Sequence, residues 1–206
     1  MRKHVPLKDL GNMDEVPASF DIPGKRTVDV RGSQDISIAT TGSEKLNFTI
    51  VLCVLADGRK LKPMVIFKRK TIPREKFPSG IIVKANAKGW MNECLIGEWV
   101  EEVWVQRQNP GPPEKSGLIL GSAKCHLTPI AKAAVKTSAQ MSVIPGGLTK
   151  KLQPLDLSVN KSFKNKLQTR WEQWMIDSMQ HTYTKGGRMR HATYWEVCGL
   201  SKAGKK

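Results

Sequence analysis

The sequence predicts a single α/β domain, a mixed sheet flanked by helices. Three observations predict it. The first half reads as an antiparallel meander of about three strands followed by a helix. The second half alternates short apolar runs, Leu118-Ile119-Leu120 and residues 141–144, with two helical patterns. Neither half alone can bury both of its faces, so the proline-marked loop between them, residues 106–116, is a connection inside one domain.

Taken in order, residues 12–20 alternate loosely and end before Pro23-Gly24, as a first strand carrying Asp14 would. Asp14 and Glu15 are neighbours, so in a strand they face opposite sides. Val28-Asp29-Val30 is a brief extended piece, and Ile36, Ile38 and Thr40 repeat with period two. Residues 48–56 read as a strand buried on both faces, Asp57-Gly58 is a hairpin signal, and residues 62–67 form the return strand, with Pro63 tolerated near its start. Lys68-Arg69-Lys70 and Arg74-Glu75-Lys76 belong to a basic loop, either a solvated surface or a DNA contact. Residues 81–83 are another short extended piece.

A helix begins near Asn92, where Leu95, Ile96, Trp99, Val100 and Val103 recur at three- and four-residue steps as a core face. Its tryptophans suit packing rather than base stacking. Thr128 as N-cap and Pro129 in the first turn start a small-faced helix over residues 130–137. The last long helix begins near Leu157 or Ser158, with Phe163, Leu167, Trp171, Trp174, Met175 and Met179 as its apolar stripe and Lys161, Lys164, Lys166 and Arg170 on its other surface. Residues 181–206 form a basic C-terminal tail, a mobile nucleic-acid-binding segment or a truncated helix.

Composition narrows the partner. Among 206 residues, 34 Lys plus Arg stand against 18 Asp plus Glu, a formal charge of +16. That excess favours a polyanion. No apolar run approaches the ~20 residues of a membrane span, and no apolar segment follows Met1-Arg2-Lys3, so neither a membrane nor a signal peptide is expected. Nucleic acid is the better partner. Cys53, Cys94, Cys125 and Cys198 are scattered without a C-x-x-C pair, and the histidines add no ligand spacing, so a zinc site is not expected. Cys125-His126, read as strand residues pointing opposite ways, cannot pair as nucleophile and base.

The site chemistry gathers between Gly117 and Lys166. Two buried strands whose ends converge on an acid at a helix start suit a divalent cation, because hard cations take carboxylate oxygens. Read by itself, Asp156 fits better as an acid favoured by a helix dipole.

Asn12-Met13-Asp14-Glu15, LILGSAKCHLT and IPGGLTKKLQPLDLSVNKSFK, in that order, resemble the catalytic core of the pogo/Tigger branch of DDE transposases, the family related to centromere protein B and the jerky proteins. The resemblance runs from about Val5 to about Met179. It implies a ribonuclease H-like mixed sheet flanked by helices, with a DDE core over residues 5–180. It also implies two Mg²⁺ or Mn²⁺ ions held by three carboxylates, DNA as partner and a nuclear location. The first carboxylate maps onto Asp14 and the third onto Asp156. The second maps onto position 121, where the family has Asp before Ser and this sequence has Gly121. With glycine at the second position, the resemblance implies a DNA-binding, catalytically degenerate domain; the basic charge predicts that DNA is held mostly through its phosphate backbone, by Lys161, Lys164, Lys166 and Arg170. An active metal-dependent endonuclease with a substituted ligand and a nuclear protein-interaction module are the alternatives. Pogo-type transposases place helix-turn-helix domains ahead of this core, and the chain starts too near Asp14 to hold them, so base-specific recognition is not expected of it.

Overall fold

The computed structural model describes residues 4–23, 31, 40–177, 179 and 181–202. The extended pieces expected at residues 28–30 and at Ile36 and Ile38 lie outside the described residues. Six strands form one sheet: β1 (Leu10–Ser19), β2 (Asn47–Leu55), β3 (Met64–Lys68), β4 (Ile82–Asn86), β5 (Gly117–Gly121) and β6 (Gln140–Ile144), in the order β4-β3-β2-β1-β5-β6. β1, β2 and β3 are the expected antiparallel meander, with Asp14 opposite Leu52 and Phe48 opposite Phe67. The β2–β3 reversal is made at Asp57-Gly58, where Gly58 takes φ 90°. β4 adds parallel to β3, while β5 and β6 add parallel to β1 and to each other. The sheet is mixed, as the sequence predicts.

Helices cover both faces. On one, α1 (Glu93–Trp99) is capped by the Asn92 side chain, which accepts from the Leu95 N–H, and continues as a wider π turn over Val100–Trp104. α2 (Pro129–Lys136) packs beside it, with the Thr128 hydroxyl accepting from Ala131 N–H. Trp99 and Trp104 are wholly buried and stacked, with ring centroids 6.4 Å apart. They lie in one core with Met13, Val51, Ile66, Leu118 and Leu120. Beneath residues 106–116, the buried Arg107 guanidinium donates to Asp9 Oδ1 at 3.2 Å and to Ser116 Oγ at 2.8 Å, which ties that loop into the domain.

The other face carries α4 (Asn160–Ile176), preceded by a short helix, α3 (Thr149–Leu152), and a π turn at Leu155–Val159. The π turn runs into α4 without a break, so the helical run starts at Pro154, earlier than the expected Leu157 or Ser158, and Asp156 lies in its first turn. Phe163, Leu167 and Trp174 pack on Val16, Phe48, Ile50 and Phe67. Met179 does not extend this stripe: the helix ends at Ile176, and Met179 is exposed. Within residues 181–202, Tyr194–Lys202 forms α5, and its Val197 and Cys198 join the same core. The basic loop after β3 meets α5, with Arg69 lying 5.0 Å from the Tyr194 ring centroid and Glu75 accepting from Trp195 N–H. Among the described residues no helix is long and apolar enough to cross a membrane.

Candidate active site

The alternation of β1 decides which acid faces which helix layer. Met13 enters the α1–α2 core and Val16 the α4 core, so Asp14 points toward α4 and Glu15 away from it. Asp14 meets Asn160 at the start of α4, whose Nδ2 donates to Asp14 Oδ2 at 2.6 Å and to Asp156 Oδ1 at 3.0 Å. One amide thus bridges the two carboxylates that the sequence singled out. Asn160 lies one helical turn after Asp156, on the same face. That i, i+4 spacing from Asp156 is the one signal in the sequence that points to Asn160, a residue absent from the expected set.

Asn12, two residues before Asp14 and therefore on the same side, anchors the turn. Its Nδ2 donates to the Ile119 carbonyl at 3.0 Å and its Oδ1 accepts from Leu155 N–H at 3.0 Å. The residue before Asp156 is thereby fixed to β1 and β5 together.

Gly121 ends β5 with its missing side chain toward the same layer, since Leu118 and Leu120 face the other core. Its φ is not in the left-handed region, so the backbone accepts any residue there. A Cβ at this position would lie 3.2 Å from Gln153 Oε1 and 3.8 Å from Thr149 Cγ2. The buried Gln153 amide thus borders the place where the resemblance calls for a carboxylate, and its Nε2 has no hydrogen-bond partner of good geometry among the described residues.

Burial pushes the Asp14 carboxyl up to about 6, against the pull of the Asn160 amide. The charges of Asp156 and Glu15 add to the rise, and the Gln153 amide opposes it. Asp156 is exposed. For a hard divalent ion the fit is partial. Two carboxylates face one point, and Asn160 Oδ1 is a buried oxygen without a partner among the described residues. Glycine at 121, however, brings no third carboxylate of the kind that the resemblance implies there. The donor set suits one ion of the Mg²⁺ or Mn²⁺ kind and not a pair.

Lys161, Lys164, Lys166 and Arg170 are all exposed on α4, whose buried side holds Asn160, Phe163 and Leu167. On the far side of β1, Glu15 Oε1 lies 2.8 Å from His126 Nε2, and His126 Nδ1 lies 2.8 Å from the Gly121 carbonyl. The separation expected of Cys125 and His126 does not occur. Lys124–His126 is a turn of 3₁₀ helix rather than strand, so alternation does not apply, and both side chains gather near Glu15. Burial alone would lower the His126 pKa, but Cys125, Glu15 and the Gly121 carbonyl together push it up to about 10.

The chain resembles known proteins in both sequence and shape. A family described as DDE superfamily endonuclease matches residues 45–200. "Pogo transposable element with KRAB domain" of Mus musculus is 40% identical over 171 residues, covering 82% of this chain and 28% of that protein. The Homo sapiens protein of the same name is 39% identical with the same coverage. "Pogo transposable element with ZNF domain" of Homo sapiens is 25% identical over 170 residues, which is 12% of its length. This chain therefore spans little more than a quarter of the first two relatives. Among solved structures, the "Mos1 transposase paired-end complex with left transposon end" aligns over 97% of this chain and 56% of that one, with a TM-score of 0.52 and 14% identity. At that identity the likeness is one of fold, the ribonuclease H-like mixed sheet.

Proposed function

This chain belongs to the DDE superfamily endonuclease family, as a pogo-type transposase-derived domain, and from that premise we propose that it binds DNA without cutting it. The observation that carries the reading is Gly121, which leaves the Asp14–Asn160–Asp156 cluster one carboxylate short. A bound hard ion supplies charge to a phosphate oxygen and acidifies a water. Asp14 and Asp156 are the residues to hold it. With two carboxylates such an ion binds weakly, and a second has no anionic bridge. Parts of such a site act as a unit, so one missing ligand costs orders of magnitude in rate.

DNA contact falls to exposed cations. Lys161, Lys164, Lys166 and Arg170 lie on the helix that begins at Asn160, so a phosphate backbone laid across α4 also passes the carboxylate cluster. Such contacts position DNA without reading bases. The net charge of +16 supports the same partner, and a DNA-bound protein of this kind works in the nucleus. One observation favours the alternative of an active enzyme with a substituted ligand: Gln153 Oε1 borders the vacant position and is a neutral oxygen donor.

Mn²⁺ calorimetry and plasmid nicking separate the readings. Wild type binds Mn²⁺ little above background, and Gly121→Asp raises the affinity by about tenfold or more, as one added anionic ligand should. Mn²⁺-dependent nicking by wild type that disappears in Asp14→Ala would overturn the degenerate reading in favour of the alternative.

A further inference from the structure

A second cluster of ligand-bearing side chains lies on the opposite side of β1 from Asp14. A Glu15 carboxylate oxygen, the Cys125 sulfur and a ring nitrogen of His126 lie within 4.8 Å of one another. The cluster draws on β1 and on the turn at Lys124–His126 that follows β5, and nothing in the proposed DNA chemistry uses it.

We propose that Glu15, Cys125 and His126 form a site for a borderline-soft divalent ion of the Zn²⁺ type, separate from the carboxylates that face α4. The donor chemistry carries the choice of ion. Thiolate, imidazole and carboxylate together suit Zn²⁺, whereas Mg²⁺ and Ca²⁺ take oxygen alone. The His126 ring is already held as a ligand ring should be. Its Nδ1 faces a backbone carbonyl, an acceptor only, so Nδ1 carries hydrogen and donates to Gly121 O at 2.8 Å. That bond orients the imidazole and leaves Nε2 for a metal, the arrangement in which a carbonyl outside the ligand set fixes a zinc-bound histidine.

The geometry needs only a small change. Metal bonds of about 2.0–2.3 Å in a tetrahedron hold donor atoms roughly 3.3–3.5 Å apart. Nε2 and Glu15 Oε1, now 2.8 Å apart, open by about half an ångström, and the sulfur already lies within 4.8 Å of both. Binding displaces the Nε2 proton and the thiol proton, leaving a neutral site of one dication, one thiolate and one carboxylate. Three protein ligands leave a fourth position open. Cys125 also lines an open cavity of about 600 Å³ with Trp90, Asn92, Lys124 and Thr128, which gives an ion its way in.

Co²⁺ titrated into the full chain tests this through the thiolate-to-cobalt charge-transfer band, which carboxylate sites lack. One equivalent of Co²⁺ should produce the band, and Zn²⁺ should abolish it. Cys125→Ser should remove it, Glu15→Gln should weaken binding by about tenfold or more, and Cys94→Ser and Asp14→Asn should leave it in place. Zn²⁺ should also protect Cys125 of the unmutated chain from alkylation, read by mass spectrometry, while the exposed Cys94 stays reactive. A folded wild type without the band, a band that survives Cys125→Ser, or protection of Cys94 alone overturns the proposal. Each readout is independent of DNA binding and nicking, so its failure leaves the reading of the Asp14–Asp156 site untouched.

Discussion

Replacing Asp14 by asparagine should stabilise the metal-free domain at neutral pH and leave it unchanged in acid. The Asp14 carboxyl is raised from the ordinary 3.8 to about 6, chiefly by burial, with repulsion from Asp156 and Glu15 adding to it. The folded chain therefore holds a proton that the unfolded chain releases, and stability falls as pH rises from about 4 through 6. At about 1.36 kcal/mol per pH unit, that difference corresponds to about 3 kcal/mol. The carboxyl retains some contact with water, which reduces the figure to about 2 kcal/mol. Asparagine is isosteric, and its oxygen can still accept from Asn160 Nδ2. Urea denaturation in EDTA from pH 4 to pH 8 measures the effect. Asp14→Asn should exceed wild type by about 2 kcal/mol at pH 8, or about 4–8 °C in Tm, and the gain should shrink toward zero near pH 4. Equal or lower stability of Asp14→Asn at pH 8, or a gain independent of pH, would refute the reasoning.

Gly121→Asp should cost the metal-free protein about 1–2 kcal/mol, because a third carboxylate joins Asp14 and Asp156 and its Cβ crowds Gln153 Oε1 at 3.2 Å; Mn²⁺ should reverse the loss in the same denaturation assay. Asp9→Ala strands the buried Arg107 guanidinium and should cost about 3–5 kcal/mol, and a loss under about 1 kcal/mol would mean that water reaches the site. Gly11→Ala places a methyl 2.5 Å from Cζ3 of the wholly buried Trp104 and should cost about 1–3 kcal/mol in denaturation. Charge reversal at Lys161, Lys164 and Arg170 should weaken DNA binding for all sequences alike and lower the salt slope of log K by about 3, measured by fluorescence anisotropy; an affinity of wild type unchanged between low and physiological salt would sink the nucleic-acid reading.

What the sequence determined by itself is what local physics writes into neighbouring residues. Loose alternation marked β1, a run apolar on both faces marked β2, Asp57-Gly58 marked the reversal into β3, and Thr128-Pro129 marked the start of α2, because each signal sits within a few residues of its effect. The glycine at position 121, where the family resemblance implies a carboxylate, was legible too, since an absent side chain is absent in any fold. Tertiary structure alone decided what joins across the chain. Asn160 reaches Asp14 over 146 positions and His126 reaches Glu15 over 111, contacts that no local pattern encodes. Cys125-His126 departs from the strand that its sequence predicts: a 3₁₀ turn after β5 replaces the geometry that would have separated the two side chains. The basic C-terminal stretch carried too little periodicity to declare its buried face. That face exists because Val197 and Cys198 of α5 find a sheet built from residues more than a hundred positions earlier, and burying apolar surface against that sheet is what makes the segment a helix of the core.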